Sequence, residues 1–556
     1  MALPGRTGRR PAPAPALTAH DAQLRTAARH VSRRRFLTVT AAAAALAFGT
    51  NLPTRGAFAA PLLDAARITE DPFTLGVASG DPLPDSVLLW TRLAPAPFQP
   101  DGGMGQQQVE VAWEVALDDS FAVVVRGGTV VAHPEYAHSV RADVRGLDPG
   151  RPYYYRFRTG AWISPTGRTR TAPAAGEDVT RLRLAAVACQ AYHDGYYTVH
   201  RQLAREDVDV VFHLGDYLYE YAVNSAGGAR NYTDRVLPSV FNRETTTLAD
   251  YRMRYALYKS DPDLRAAHAA HPFVVTWDDH ETENNYAAEH DENGSDPALF
   301  LARRAAAYRA YWENQPLRAG QLPDGPDAQL FRRLNWGSLA QFDVLDTRQY
   351  RSDQAYGDVT HVPGPESDDP ARSLTGDAQE RWLLDGWAAS GALWNVMPQQ
   401  VCFSQRALDL NPQAKLSMDA WDGYRANRGR LVAGAKAAGV ENWLVLTGDV
   451  HVAYAFDIKE DFGDAGSATL GTELTCTSVT SGRDGAERPA NWDTLMRANP
   501  HLRHYDGRRG YLRVELNREH ARADFRTVPA VTTPGAAVTT AASFVTEAGA
   551  PGLTPV

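Results

Sequence analysis

The sequence predicts a β-sandwich followed by an α/β half, and three observations carry that prediction. Between Pro72 and about Pro173, short β-rich runs alternate apolar and polar residues between turns, the pattern of a sandwich. After Asp178 the pattern changes to apolar strand-like runs interleaved with helical stretches. Several of the later runs end in residues that carry chemistry. The stretch on which the chain is organised is Val208-Asp-Val-Val-Phe-His-Leu-Gly-Asp-Tyr-Leu-Tyr219, an apolar run that turns at Gly215-Asp216 and supplies Tyr219 three residues later. Glycine permits the sharp turn, so Asp216 is expected at a strand's carboxyl end, where open α/β sheets bind ligands.

Residues 1–59 hold nine arginines and one acidic residue, then an apolar segment from Phe36 to Phe48 and Ala57-Phe58-Ala59. That arrangement reads as an export leader. Its Ser32-Arg33-Arg34-Arg35-Phe36-Leu37 resembles the twin-arginine signal, with Ala59 as the last leader residue. The apolar run falls short of the ~20 residues a span requires, so no stable membrane span is expected. The implied partner is the twin-arginine export machinery, which moves folded proteins and suits an enzyme that acquires its metal before export. The implied location is extracytoplasmic: secreted, periplasmic or cell-wall.

Removing the leader leaves 48 basic and 65 acidic residues and moves the formal charge from −9 to −17. A general polyanion-binding or nucleic-acid scaffold role is thereby excluded. Three cysteines, Cys189, Cys402 and Cys476, are too few for a disulfide framework; a Cys402–Cys476 bridge is one expectation.

In chain order, the sandwich domain (residues 70–173) is expected to contain Phe73–Ala78, Ser86–Thr91, Val109–Val115, Gly128–Val131 and Tyr153–Arg158 as strands. Gly146-Leu-Asp-Pro-Gly-Arg-Pro-Tyr-Tyr-Tyr155 resembles the corner before a late strand in fibronectin type III-like modules. Small and charged residues at 171–178 mark a boundary, and residues 179–527 form the second domain. There Leu182–Ala188, Val208–Leu214, Pro272–Trp277, Leu339–Leu345, Ala392–Pro398 and Trp443–Leu446 are expected as strands. Thr475–Ser481 and Tyr511–Leu516 follow as late strands, while Gly195–Ala204, Leu248–Ala269 and Pro297–Asn314 are expected to be helical. Residues 528–556, rich in Pro, Ala, Thr and Gly, read as a C-terminal tail in which Ala542–Glu547 can dock as a short helix.

Three further runs end as the Gly215-Asp216 run does. Leu182–Ala188 ends at Cys189-Gln190, Pro272–Trp277 at Asp278-Asp279-His280-Glu281, and Trp443–Thr447 at Gly448-Asp449-Val450-His451. Each has a plain explanation alone: a buried cysteine, a solvated charge run, a core histidine. Cys, Asp, Tyr, Asp, His, Asp and His delivered together to corresponding strand ends point to a metal-dependent active site.

These motifs resemble the metallophosphoesterases of calcineurin-like fold and, among them, the alkaline phosphatase D family, which is related to the purple acid phosphatases. Gly215-Asp216-Tyr217-Leu218-Tyr219 fits Gly-Asp-x-x-Tyr. Asp278-Asp279-His280-Glu281 stands for Gly-Asn-His-Glu, and Gly448-Asp449-Val450-His451 stands for Gly-His-x-His. Val396-Met397-Pro398-Gln399 occupies the Val-x-x-His element without its histidine. The resemblance covers about residues 70 to 550. It implies a β-sandwich flanked by helices, with an N-terminal fibronectin type III-like domain.

Carboxylates in place of imidazoles harden one metal position toward calcium, whereas thiolate and phenolate favour a ferric ion. The resemblance implies the same division. Fe(3+) would be held by Cys189, Asp216, Tyr219 and His451, and Ca(2+) by Asp216, Asp279 and Asp449, with Asp216 bridging. Gln399 or Gln400 can add an amide oxygen on the calcium side or simply cap a strand.

The implied activity is hydrolysis of phosphate mono- and diesters by in-line attack. Iron would activate the nucleophilic oxygen, calcium would orient the phosphoryl group, and His280 would stabilise charge or protonate the leaving alkoxide. Alternatives are a phospholipase D-type phosphodiesterase acting on phospholipid head groups and a non-catalytic, metal-stabilised surface-binding protein. Arg230 and Arg235 can reach a phosphate or be surface charges, and Asp346 and Arg348 can support the site or pair with each other.

Overall fold

The computed structural model describes residues 64–223, 230, 237–411 and 413–556, so the expected leader and Arg235 lie outside the described residues. Its larger sheet has ten strands, built around the parallel trio Arg181–Val187, Val210–His213 and Pro272–Val275. The smaller has seven, with Ala340–Val344, Trp394–Pro398, Trp443–Thr447 and Thr469–Thr475 parallel at its centre.

Alternate residues of these strands face opposite sides, which is why their sequences are apolar almost throughout. Leu184, Ala186, Phe212 and Val274 meet Phe342, Val396, Leu444 and Leu446 between the sheets. The opposite face of the larger sheet, through Ala185, Val187, Val211 and Val275, packs on helices Leu248–Lys259 and Pro297–Asn314. Met397 and Val445 of the smaller sheet pack on helices Gly376–Ala388 and Arg425–Ala437. The result is the helix-flanked β-sandwich that the motifs implied.

Register fixes where the loops go. Val187 lies opposite His213, and His213 opposite Val275, so three strands of the larger sheet end level with one another. In the smaller sheet Pro398 lies opposite Leu446, and Thr447 opposite Thr475. A lone parallel bridge from Ala188 to Ser478 joins the two sets of strand ends.

The N-terminal sandwich shares the larger sheet. Val77–Leu83, Ser86–Arg92 and Ser139–Arg145 form its far edge through parallel pairing of Val77–Leu83 with Pro272–Val275. A separate five-stranded sheet, which includes Val109–Ala116 and Pro152–Thr159, closes over them around Val87, Leu89, Val111, Val140, Tyr155 and Phe157. At the expected corner the Tyr153 hydroxyl accepts from the Asp148 backbone N–H at 2.9 Å.

Five expectations are corrected. The strand expected over Phe73–Ala78 starts only at Val77, because the chain turns first, with the Gly76 N–H donating to the Phe73 carbonyl at 2.9 Å and Gly76 at φ 75°. The helix expected over Leu248–Ala269 is two, Leu248–Lys259 and Pro262–Ala270, because Pro262 starts a new helix capped by the Asp261 carboxylate. Thr475–Ser481 is strand only at Thr475 and then loop, its Ser478 committed to the bridge. The tail forms strands Thr539–Glu547 and Ala550–Pro555 at the sheet edge, where burial of Phe544 and Leu553 outweighs a loop-like composition. The cysteines are all free; Cys402 packs with Tyr454 and Phe456 in a cluster apart from the inter-sheet core that holds Cys476. Among the described residues, no helix is long and apolar enough to cross a membrane.

Burial of neutral imidazoles makes this fold acid-sensitive. It lowers His138, His200 and His271 to about 4 and His213 to about 3. In the unfolded chain these groups titrate near ~6.5, so the unfolded state takes up protons first as pH falls. The stability they contribute is complete above that value and is lost as pH drops toward their folded values. Urea denaturation at pH 7.5 and 5.5 should show a loss of about 1 kcal/mol per histidine at the lower pH. Equal stability at both would contradict it.

Candidate metal centre

The strand ends bring six of the seven residues singled out in the sequence into three overlapping donor groups. Ligand atoms of Cys189, Asp216 and His451 lie within 4.8 Å of one another, as do those of Asp216, Asp279 and His280, and those of Asp278, Asp279 and Asp449. The seventh, Tyr219, joins the first group: its hydroxyl is 2.8 Å from Asp216 Oδ2 and 2.9 Å from His451 Nε2. Asp216 is common to the first two groups and Asp279 to the last two.

The backbone reaches this arrangement through strained conformations. Cys189, Asp216, Asp449 and His451 have φ of 58°, 53°, 64° and 57°, in the left-handed region that costs a non-glycine residue about 1–2 kcal/mol. Gly215, at φ 108°, is required for a second reason. A Cβ there would lie 2.4 Å from Asp278 Cβ and 2.7 Å from its backbone nitrogen. The Gly-Asp turn thus lies directly against the Asp278–Glu281 turn. Glu281 fastens the two: its carboxylate accepts the N–H groups of Asp216 at 3.0 Å, Tyr217 at 2.6 Å and Asp278 at 2.8 Å. Burial and the nearby Asp216 push Glu281 up to about 8, and these three donors act against that rise.

His280 is held by a group the sequence reading passed over. Its Nδ1 lies 2.8 Å from Oε2 of Glu220, a fully buried carboxylate one residue beyond Tyr219, and the Tyr219 ring lies 4.1 Å away, tilted by 35°. Burial opposes the imidazolium, but Glu220, Asp279 and Asp216 outweigh it and raise His280 well above its ordinary value. With Nδ1 engaged, Nε2 is the nitrogen left for chemistry.

Arg348, expected either to support the site or to pair with Asp346, does the former. Its fully buried guanidinium lies 3.0 Å from Asp419, 3.4 Å from Asp449, 3.5 Å from Asp279 and 2.5 Å from Asp278. Asp419 has no motif around it and was not singled out in the sequence. Asn285, also unmarked, donates its backbone N–H to Asp279 Oδ2 at 2.7 Å. Gln399 and Gln400 are strand-end caps: Gln399 binds Thr447, Val401 and Trp421, and Gln400 binds Thr347, Thr276 and Leu345. Arg230 is neither a surface charge nor a site residue; it is buried against Asp261 at 2.8 Å and over the Tyr192 ring.

The pocket fits cations. Asp216 Oδ1 is buried with no hydrogen-bond partner, an arrangement that is costly for a carboxylate oxygen unless a cation meets it, and Asp279 Oδ1, also without a hydrogen bond, has only the Arg348 guanidinium at 3.5 Å. Burial, with neighbouring acids, pushes Cys189 well above its ordinary value and Asp449 up to about 7. The protein alone therefore opposes the full set of anionic donors, and positive charge in the pocket would reverse that. Gly215→Ala should cost at least ~2 kcal/mol by displacing Asp278 and straining the turn, and should reduce bound metal. Denaturation and elemental analysis check it; wild-type stability with full metal content would contradict the packing argument.

Comparison with known proteins agrees with this geometry. Residues 184–525 match the family model described as PhoD-like phosphatase, and residues 57–173 match the model of its N-terminal domain. Alkaline phosphatase D of Bacillus subtilis is 46% identical over 529 residues, covering 94% of this chain and 89% of that protein. A solved structure titled "Structure of PhoD" is 48% identical, with a TM-score of 0.85 over 88% of this chain and 92% of that one. The chain belongs to the PhoD-like phosphatase family and is a phosphoric ester hydrolase.

Proposed function

We propose that this hydrolase acts outside the cytoplasm on phosphate mono- and diesters through a two-cation centre. Ferric iron would be held by Cys189, Asp216, Tyr219 and His451, and calcium by Asp216, Asp279 and Asp449. The observation that carries this reading is that Asp216 belongs both to a thiol–phenol–imidazole group and to the Asp216–Asp279–His280 group, which Asp279 in turn links to the carboxylates Asp278 and Asp449. The first donor set suits a ferric ion and the second a hard divalent cation. Bound cations supply charge neutralisation for a phosphate and a nucleophilic oxygen near neutral or alkaline pH. Export rests on the arginine-rich leader, which the twin-arginine machinery would read.

The protein's own groups divide the remaining work. Asp216, anchored through its backbone N–H to Glu281, fixes the spacing between the two donor sets. His280, oriented by Glu220, presents Nε2 on the opposite side of its ring and holds the proton for the leaving alkoxide. Arg348 keeps Asp278, Asp279, Asp419 and Asp449 together without entering the chemistry.

Asp216→Asn should lower hydrolysis of p-nitrophenyl phosphate and its bis ester by at least about a hundredfold and reduce bound metal. Near-full activity with both metals retained would sink the bridging role. Elemental analysis with a visible spectrum tests the metals, since tyrosinate on ferric iron absorbs in the visible; two equivalents of zinc without iron would overturn the assignment and leave the hydrolase class intact. Phosphatidylcholine as a third substrate tests the phospholipase D-type alternative: head-group release faster than bis-ester hydrolysis would replace the present reading.

A further inference from the structure

The geometry points to Arg406 as a substrate-binding residue that holds an anionic phosphoryl oxygen on the Asp449–His451 side of the centre. This inference rests on the phosphate-ester reading and adds the side chain that receives the phosphate. The other guanidinium groups around the site are committed. Arg348 is in contact with four carboxylates and has no exposed surface. Arg351 binds Asp419 and the Tyr424 hydroxyl. Arg509 donates to the carbonyls of His451, Arg483 and Gly482 and to Ser478 Oγ. Arg254 donates to the carbonyls of Tyr219 and Tyr221. All four are buried, and their donors hold the walls of the site.

Arg406 differs on each count. It is only partly buried, and it forms no ion pair with a described residue. Its backbone N–H donates to Asp422 at 3.0 Å, and its guanidinium makes one hydrogen bond, from Nη1 to the Tyr454 hydroxyl at 3.3 Å. A guanidinium has five N–H donors in a planar fork that matches phosphate oxygens, so most of this fork remains available.

Topology sets it beside the centre. Trp394–Pro398 runs parallel to Trp443–Thr447 with Pro398 opposite Leu446, so the loops that follow them leave the same edge of the sheet. One loop carries Arg406 and the other carries Asp449 and His451; Tyr454, which Arg406 contacts, is the third residue after His451. Burial acts against the Arg406 charge, while Tyr454, Cys402 and Asp449 favour it, which counts Asp449 among its electrostatic neighbours. A dianionic phosphate approaching a rim of carboxylates needs such a cation, and Lys, as a point charge without the fork, would serve less well.

The test uses metal-loaded full-length protein carrying Arg406→Ala, Arg406→Gln or Arg406→Lys, with p-nitrophenyl phosphate as substrate and inorganic phosphate as competitive inhibitor. In the Ala and Gln variants, KM and the phosphate inhibition constant should each rise about 10- to 100-fold, the loss expected for one charge-assisted hydrogen bond. Iron and calcium content and melting temperature should stay at wild-type values, and Lys should recover part of the loss. Unchanged constants in the Ala variant overturn the inference. So does a rise that comes with lost metal or a lowered melting temperature in all three variants, which would make Arg406 a support for Tyr454. Wild-type protein that hydrolyses no phosphate ester would instead remove the underlying reading, a result independent of the variants.

Discussion

The site depends on a buried guanidinium that meets more carboxylates than it can neutralise. Arg348 lies in contact with Asp278, Asp279, Asp419 and Asp449, while Asp216, Cys189 and Tyr219 crowd the same region from the other sheet edge. One guanidinium does not neutralise that set, and like charges in a low-dielectric interior repel strongly. Under the two-cation reading, that excess would favour multiply charged cations, and Arg348 would lower the repulsion among the carboxylates without cancelling it.

Rigidity comes from the register of the sheets. Because the strands of each sheet end level with one another, a turn at each end suffices to aim a ligand inward, and the left-handed turns at Cys189, Asp216, Asp449 and His451 store strain that the surrounding hydrogen bonds over-determine. Glu281 and Arg509 act alike here, one by accepting three backbone N–H groups and the other by donating to three backbone carbonyls. Backbone anchoring of this kind positions ligands without adding side chains to the pocket.

The sequence makes the donors legible because each follows an apolar run and a Gly-Asp or Asp-Asp-His-Glu turn. Their supports are hidden for the opposite reason. Asp419 follows only the two-residue strand Leu416–Ser417, Asn285 lies in a loop, and the Arg348 guanidinium pairs with residues distant in sequence rather than with Asp346 beside it. Glu220 stands next to Tyr219, but acids beside turns are commonplace, and its contact with His280 exists only in the folded chain. Composition hides the last two strands: Thr- and Ala-rich segments resemble loops until Phe544 and Leu553 find an apolar surface to cover. Loss of the histidine at Gln399 was visible, but the fate of its amide was not, since the Thr447 and Trp421 partners come from other strands and loops.

The ten-stranded sheet has a bearing on biosynthesis. Arg181–Val187, whose end supplies Cys189, is flanked on one side by Val210–His213 and on the other by Gly510–Asn517, which the ribosome delivers long after it. Asp449, His451 and Arg509 also come long after Cys189. Contacts of such long sequence separation form slowly and only after their distal partner exists. A nascent chain therefore carries an early half of a donor set with an unpaired strand beside it, and under the two-cation reading the metal pool that fills the centre would be that of the compartment where the later strands dock.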